Sequence, residues 1–296
     1  MNFLRFGNIY LFVSGIAIVA SIASITFFGL LLGIDFTGGS ILEIEYSTER
    51  PSNLKIQELL SDFKLGSLTI QPSGGRGVIL RMETISEETH QQILSKLGQE
   101  AREERFESIG GIIGEELKKR VLLMVVLSLA SISLYVAFAF RKIVHPVRSW
   151  QWSAIALAAL LHDVIITLGA LALLGRFSNL QIQIPVVVAL LTIIGYSIND
   201  TVVIFDRIRE NITKKIGFDF ANTVNISLQQ TIARSISTSF TVLIVVVAIL
   251  FFGGETLRDF ALCMTIGIAV GAYSSIFPAP ALLVQWIQGK GVDKSL

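Results

Sequence analysis

Six apolar runs, at residues 9–32, 121–140, 153–174, 184–205, 231–252 and 260–286, constrain this chain more than anything else in it. Each has roughly the 20 residues that cross about 30 Å of hydrocarbon as a helix. In lipid every backbone polar group must be satisfied internally, so the expected fold is a polytopic α-helical membrane protein with six transmembrane helices. With 52% hydrophobic and 16% charged residues, composition agrees. A net charge of +1 argues against nucleic acid as a partner. Cys263 stands alone in an apolar run, so no internal disulfide framework can form. There is no glycine-rich phosphate loop with its lysine and no metal-spaced His/Cys/carboxylate cluster. No cofactor, metal site or enzymatic activity is therefore expected, and any work must be powered by something other than ATP bound to this chain.

The first run exceeds a signal-peptide core and has no small-x-small cleavage site before Asp35, so an uncleaved helix is expected. Arg5, then Arg141, Lys142 and Arg148, then Arg207, Arg209, Lys214 and Lys215, then Lys290 and Lys294 fall on one side of six spans. Arg176 and Arg258 stand alone on the other, which puts both termini in the cytoplasm. Lys118, Lys119 and Arg120 sit at the outer end of the second helix, but they close a long translocated segment, where this rule is weak. The expected division is 1–34 for the N-terminus and first helix, 35–117 for a periplasmic domain, 118–288 for the remaining helices and 289–296 for a cytoplasmic tail. Within the domain, 40–46 alternates as a strand and 53–64 has helical spacing. Strands at 68–71 and 78–83 flank the turn Ser73-Gly74-Gly75-Arg76-Gly77, Ser86 caps a helix to about Gln99, and 105–109 is a last strand. That βαββαβ order predicts a small α+β ferredoxin-like unit.

Three spans carry polar groups that lipid would not tolerate. In the fourth, Thr192, Gly195, Tyr196, Asn199, Asp200, Val203, Asp206 and Arg207 share a broad helical stripe. In the third, His162 and Asp163 are flanked by the small residues Ala156, Ala159, Thr167 and Ala170. In the fifth, Arg234 precedes Ser237, Thr238 and Thr241 on one face, and the sixth offers Gly267 and Gly271 for close packing. A carboxylate at a helix centre costs roughly 2.5–3.5 kcal/mol on insertion scales, which favours a functional reading of Asp200. Counting residues from the helix ends puts Asp200 and Arg234 at similar depth, and an Asp whose distance from an Arg changes can take up and release a proton. The bland alternative is an ion pair that only holds helices together. For Asp163 a structural role weighs equally, and His162 is expected to satisfy a neighbour rather than bind metal.

These residues sit in ordered motifs. Gly33-Ile34-Asp35-Phe36-Thr37-Gly38-Gly39, Leu161-His162-Asp163-Val164, Gly195-Tyr196-Ser197-Ile198-Asn199-Asp200-Thr201 running into Phe205-Asp206-Arg207-Ile208-Arg209-Glu210-Asn211, and Arg234-Ser235-Ile236-Ser237-Thr238-Ser239 together resemble the SecF family of bacterial protein-export membrane proteins over essentially the whole length. The resemblance implies half of a resistance-nodulation-division transporter, paired with SecD and associated with the SecYEG channel and often YajC. It implies use of the proton-motive force to pull or release translocating polypeptides on the outer side of the bacterial inner membrane. It also implies that Asp200 and Arg234 are proton-path residues and, less directly, Asp163.

The family commonly has a proline after glycine before the second helix. This chain has Gly110-Gly111, which permits φ angles closed to proline and leads us to expect a pliable neck. Two rivals stay open. A small-molecule exporter would carry larger outer domains, whereas a purely structural translocon subunit would use Asp200 and Arg234 only as helix contacts. A membrane-embedded hydrolase lacks a supporting Ser/Lys, paired-Asp or His-Glu motif.

Overall fold

The computed structural model describes residues 3–141, 146–178 and 180–288. Lys142, Lys290, Lys294 and the tail 289–296 lie outside the described residues. The chain divides into two compact units, one of residues 32–122 and one of 1–31 with 123–296.

The smaller unit begins at a single helical turn, α2 (Ile34–Thr37). It continues as β1 (Gly39–Tyr46), α3 (Asn53–Leu59), β2 (Thr69–Ser73), β3 (Gly77–Met82), α4 (Glu87–Leu97) and β4 (Ala101–Ile109). The sheet order is β2-β3-β1-β4 with every neighbouring pair antiparallel, the arrangement of a split βαβ unit. Strand alternation turns Leu42, Ile44, Val78 and Leu80 inward, where Ile56 and Leu60 of the α3 segment and Ile93 of α4 cover them. Both helices start at serine caps, Ser52 accepting from the Lys55 amide and Ser86 from the Thr89 amide, each at 3.3 Å. α3 stops at Leu59, short of the expected end at 64, and β4 starts four residues earlier than expected. β4 is longer because β1 pairs with it along its whole length, around a bulge at Glu43/Ile44.

Two glycines of the 33–39 motif follow from backbone contact. Gly38 (φ +75°) and Gly39 (φ +136°) adopt angles that side chains resist. A β-carbon on Gly38 would lie 2.8 Å from Gly111 Cα, and one on Gly39 2.8 Å from the Met82 carbonyl. The expected pliable neck is not what Gly110-Gly111 provides. Neither has positive φ; Gly111 opens α5 (Gly111–Ala139), and it is the missing β-carbon of Gly38, not of Gly111, that lets the two backbones approach.

The larger unit holds α1 (Gly7–Phe28), α6 (Ser149–Ser178), α7 (Ile184–Thr213), α8 (Phe220–Phe252), α9 (Glu255–Ile276) and α10 (Pro278–Gln288). With α5, and with α9 and α10 counted as one broken span, the described residues contain six segments long and apolar enough to cross a membrane. The sixth breaks because Pro278 has no amide hydrogen to continue the ladder. Trp152 packs between Phe140 and Phe205, with ring centroids 5.1 and 5.0 Å away, in the core of the unit. Small residues set the closest crossings: a side chain at Gly169 would overlap Ser21 of α1, and one at Gly267 would overlap Ile193 of α7.

Several ends differ from expectation. α1 stops at Gly29 (φ +72°) rather than 32. α5 begins ten residues early and absorbs the basic cluster, in which Lys118 pairs with Glu115 and Arg120 with Glu116 one turn back. α7 runs past 205 to Thr213, and α8 starts at Phe220, where the Asp219 side chain caps the Asn222 amide at 2.7 Å.

Candidate functional site

Asp200 is buried where α7 meets α8, and its Oδ2 accepts a 3.0 Å hydrogen bond from the Ser239 hydroxyl. Ser239 lies five residues beyond Arg234, about 7.5 Å along the helix. The expected equal depth of Asp200 and Arg234 is therefore corrected: no ion pair within 4.0 Å joins them, although Arg234 is near enough for its charge to act on Asp200. Counting from helix ends failed because α7 and α8 both extend beyond their apolar runs.

Arg234 is exposed and lines an open cleft of about 400 Å³ with Asp206, Arg207, Arg209, Glu210 and Gln230. Within it Asp206 pairs with Arg209 at 3.2 Å and Arg207 with Glu210 at 2.8 Å. The expected single stripe on α7 is split. Asp200 and Thr201 turn inward, while Thr192, Gly195, Asn199 and Asp206 are exposed and Tyr196 and Arg207 are half-buried. Ile236, Ser237, Phe240, Thr241 and Ile244 of α8 are also uncovered within this chain.

A second polar centre joins three helices. Asp163 of α6, 1% exposed, meets His162 Nδ1 through Oδ1 at 2.8 Å. Its Oδ2 accepts from Ser274 of α9 at 2.8 Å and from Ser197 of α7 at 2.5 Å. Three charge-assisted contacts meet what a buried carboxylate needs. A β-carbon on Gly271 would lie 3.1 Å from Ser197 Cβ and 3.5 Å from Asp163 Oδ2, so glycine there lets α9 close over the centre. Thr201 Oγ1 lies 2.9 Å from Ser275 Oγ, and the Ser275 hydroxyl donates to the Ser197 carbonyl at 3.4 Å. Ser197 thus stands between the two carboxylates, its hydroxyl on Asp163 and its carbonyl on the Ser275 and Thr201 hydroxyls, the latter beside Asp200.

Sequence reasoning named neither Ser239, Ser274 nor Ser275 as partners. Ser239 closes the quoted run 234–239, but serine is common in spans and only the helix crossing shows which hydroxyl meets a carboxylate. Asn211, which donates to Ser227 at 2.8 Å and Gln230 at 3.0 Å to brace α7 against α8, was quoted only within its motif. The 33–39 motif belongs to the smaller unit: Asp35 and Phe36 are buried, and the Thr37 hydroxyl donates to the Gly33 carbonyl at 3.1 Å. Among the described residues no cluster of three or more His, Cys, Asp or Glu side chains could hold a metal ion.

Six spans, buried carboxylates on two of them, an uncovered polar helix face and an α+β unit between the first two spans define half of a membrane transporter of the resistance-nodulation-division type. Residues 89–289 match the model of the protein export membrane protein SecD/SecF C-terminal family, and residues 23–49 that of the SecD/SecF GG motif. The chain belongs to the SecD/SecF family. It is 38% identical to a protein translocase subunit SecF from Thermobaculum terrenum, over 97% of this chain and 94% of that one. It is 35% identical to the protein of the same description from Pseudomonas aeruginosa, over 97% and 91%. Among solved structures it resembles SecDF, a translocon-associated membrane protein from Thermus thermophilus, at a TM-score of 0.84 and 33% identity. That match covers 97% of this chain but only 38% of the longer SecDF chain.

Proposed function

We propose that this chain is a SecF-type subunit that assists the translocation and release of polypeptides exported through the Sec channel, with Asp200 carrying the proton that couples the step to the proton-motive force. Full-length similarity to proteins described as translocase subunits supports the pathway. Asp200 carries the coupling argument, as a carboxylate buried between two spans, held by a hydroxyl and within reach of an Arg234 with which it forms no ion pair. An Asp locked to a cation would be structural. One that exchanges a serine for a proton or an arginine can change charge during a cycle, and one charge crossing 100 mV supplies about 2.3 kcal/mol. Asp163 is a further candidate on this route.

The uncovered faces of α7 and α8 fit a SecD-like half, since lipid offers no hydrogen-bond partner to the exposed Asn199 and Ser237 side chains. In this reading SecYEG, YajC and the emerging polypeptide are the further partners. The chain lies in the bacterial cytoplasmic membrane with both termini inside and residues 35–117 outside, and it catalyses no covalent chemistry. Co-purification with a SecD-like protein, followed by export into vesicles with and without a protonophore, tests this. A stable complex whose export stimulation vanishes with the gradient is expected, and stimulation that survives its collapse would favour a purely structural subunit.

A further inference from the structure

We infer that one acyl chain of a membrane phospholipid seats in a slot between α1, α6 and α10, a binding site separate from the coupling at Asp200. A cavity of about 200 Å³ lies there, within the larger unit, with Ser274 of α9 in its wall. α1 contributes Leu11 and the residues three, four and seven further on, and α6 contributes Ile155 and the same three steps. That is one face of each helix over two turns, so the slot runs along the helices for about 10 Å. A slot of that form suits an extended hydrocarbon chain rather than a compact ligand.

The wall has nothing to offer a polar ligand. Of its three side chains with polar atoms, the Ser14 hydroxyl donates to the Tyr273 hydroxyl at 3.4 Å and the Ser274 hydroxyl to Asp163 at 2.8 Å. His162 holds Asp163 through Nδ1, and its Nε2, which has no hydrogen-bond partner, is buried. The rest of the wall is apolar, so the slot takes hydrocarbon and leaves a polar head outside. Gly15 and Ala158 are its exposed members, which puts the mouth between α1 and α6. A β-carbon on Gly15 would meet nothing within 4 Å.

Lipid is what lies outside that mouth. α1 is apolar enough to span the membrane and turns Phe12, Ile16 and Val19 outward, each more than half exposed. Trp150 of α6 and Trp286 of α10 pack edge to face with ring centroids 5.5 Å apart, and tryptophan collects at the headgroup level. The α6 wall runs from five to twelve residues beyond Trp150, and Leu282 of the α10 wall lies four residues before Trp286. The slot therefore starts roughly 6–8 Å below the headgroups and ends at about 18 Å, the depth of the acyl chains of one leaflet. In the orientation proposed above that is the cytoplasmic leaflet. α7 and α8, whose uncovered faces are assigned above to a SecD-like half, contribute nothing to the slot.

The test is photolabelling of the full chain in vesicles of a phosphatidylcholine that carries a diazirine halfway along one acyl chain, with adducts mapped residue by residue by mass spectrometry. Leu134 and Phe138, exposed in the second half of α5, report ordinary lipid contact. The slot residues should carry roughly tenfold more adduct, the ratio that about 1.4 kcal/mol of preference for the slot over free lipid gives. Gly15→Leu and Ala158→Leu, which fill the mouth from different helices, should remove that excess in chains that thermal unfolding shows to be folded. Phe12→Leu, on the outward face of α1, should leave it in place. Slot labelling equal to that of α5, or an excess that survives both mouth-filling variants, overturns the inference. So does an excess that falls as chain density in the vesicle rises, which assigns the slot to a second copy. The ratio in the parent chain decides even if a variant unfolds. No export assay enters, so failure of gradient-driven export would sink the coupling at Asp200 without deciding this site.

Discussion

Replacing Gly38 with alanine tests how the 33–39 turn is held against the start of α5. At φ +75° an L-residue is disfavoured by about 1–2 kcal/mol. The new β-carbon would also lie 2.8 Å from the Gly111 backbone, well inside the roughly 3.5 Å of ordinary carbon contact. Forcing packed groups apart typically costs about 1–3 kcal/mol more. The sum is about 2–5 kcal/mol, and at about 1.4 kcal/mol per factor of ten even its lower end opens the unit roughly 30-fold more often. Amide hydrogen exchange in β1 and β4 of the detergent-solubilised full chain reads this directly. Gly74→Ala is the control, because Gly74 shares the left-handed backbone (φ +60°) but has nothing within 4 Å of a β-carbon. Gly38→Ala should accelerate exchange at least about 30-fold, and Gly74→Ala by less, about 5- to 30-fold for the backbone cost alone. Equal effects would show that the contact with Gly111 contributes nothing.

Gly267→Leu should separate α9 from α7, because any side chain there overlaps Ile193; thermal unfolding in detergent should fall by several degrees, and an unchanged midpoint would contradict that packing. In the smaller unit, the Gln91 amide and then His90 hydrogen-bond Glu87 and hold its carboxyl below the usual range near 4.5. A folded-state value below the unfolded one adds stability above about pH 4.5 that is lost as pH falls through the folded value. Protection of the first turn of α4 should therefore weaken on acidification below that point, and less so in Glu87→Gln.

The spans were legible because lipid demands some 20 apolar residues, a requirement that composition alone can display. Their ends were not. Residues 220–230 read as too polar to start a span, with Asn222, Asn225, Gln229 and Gln230, yet the Asp219 cap and the Asn211 brace to Ser227 and Gln230 carry the helix through them. That error displaced Arg234 along α8 and produced the expected equal depth with Asp200. The α+β unit was readable in order and element type because strand alternation and serine caps are local signals. Gly111 was misread as a source of freedom, since its contact with Gly38 joins residues far apart in sequence. Asp163 and His162 were identifiable as polar intruders, but which atom lacks a partner depends on three helices meeting.

The central claim, that Asp200 couples an ion gradient to polypeptide export, is tested most directly with Asp200→Asn in vesicles containing the SecD-like partner and the channel. Asparagine keeps the size of the side chain and an acceptor for Ser239 but cannot change charge. The variant should assemble and unfold like the parent chain yet lose the gradient-dependent part of export. Full gradient-dependent export by an assembled Asp200→Asn chain would contradict the claim.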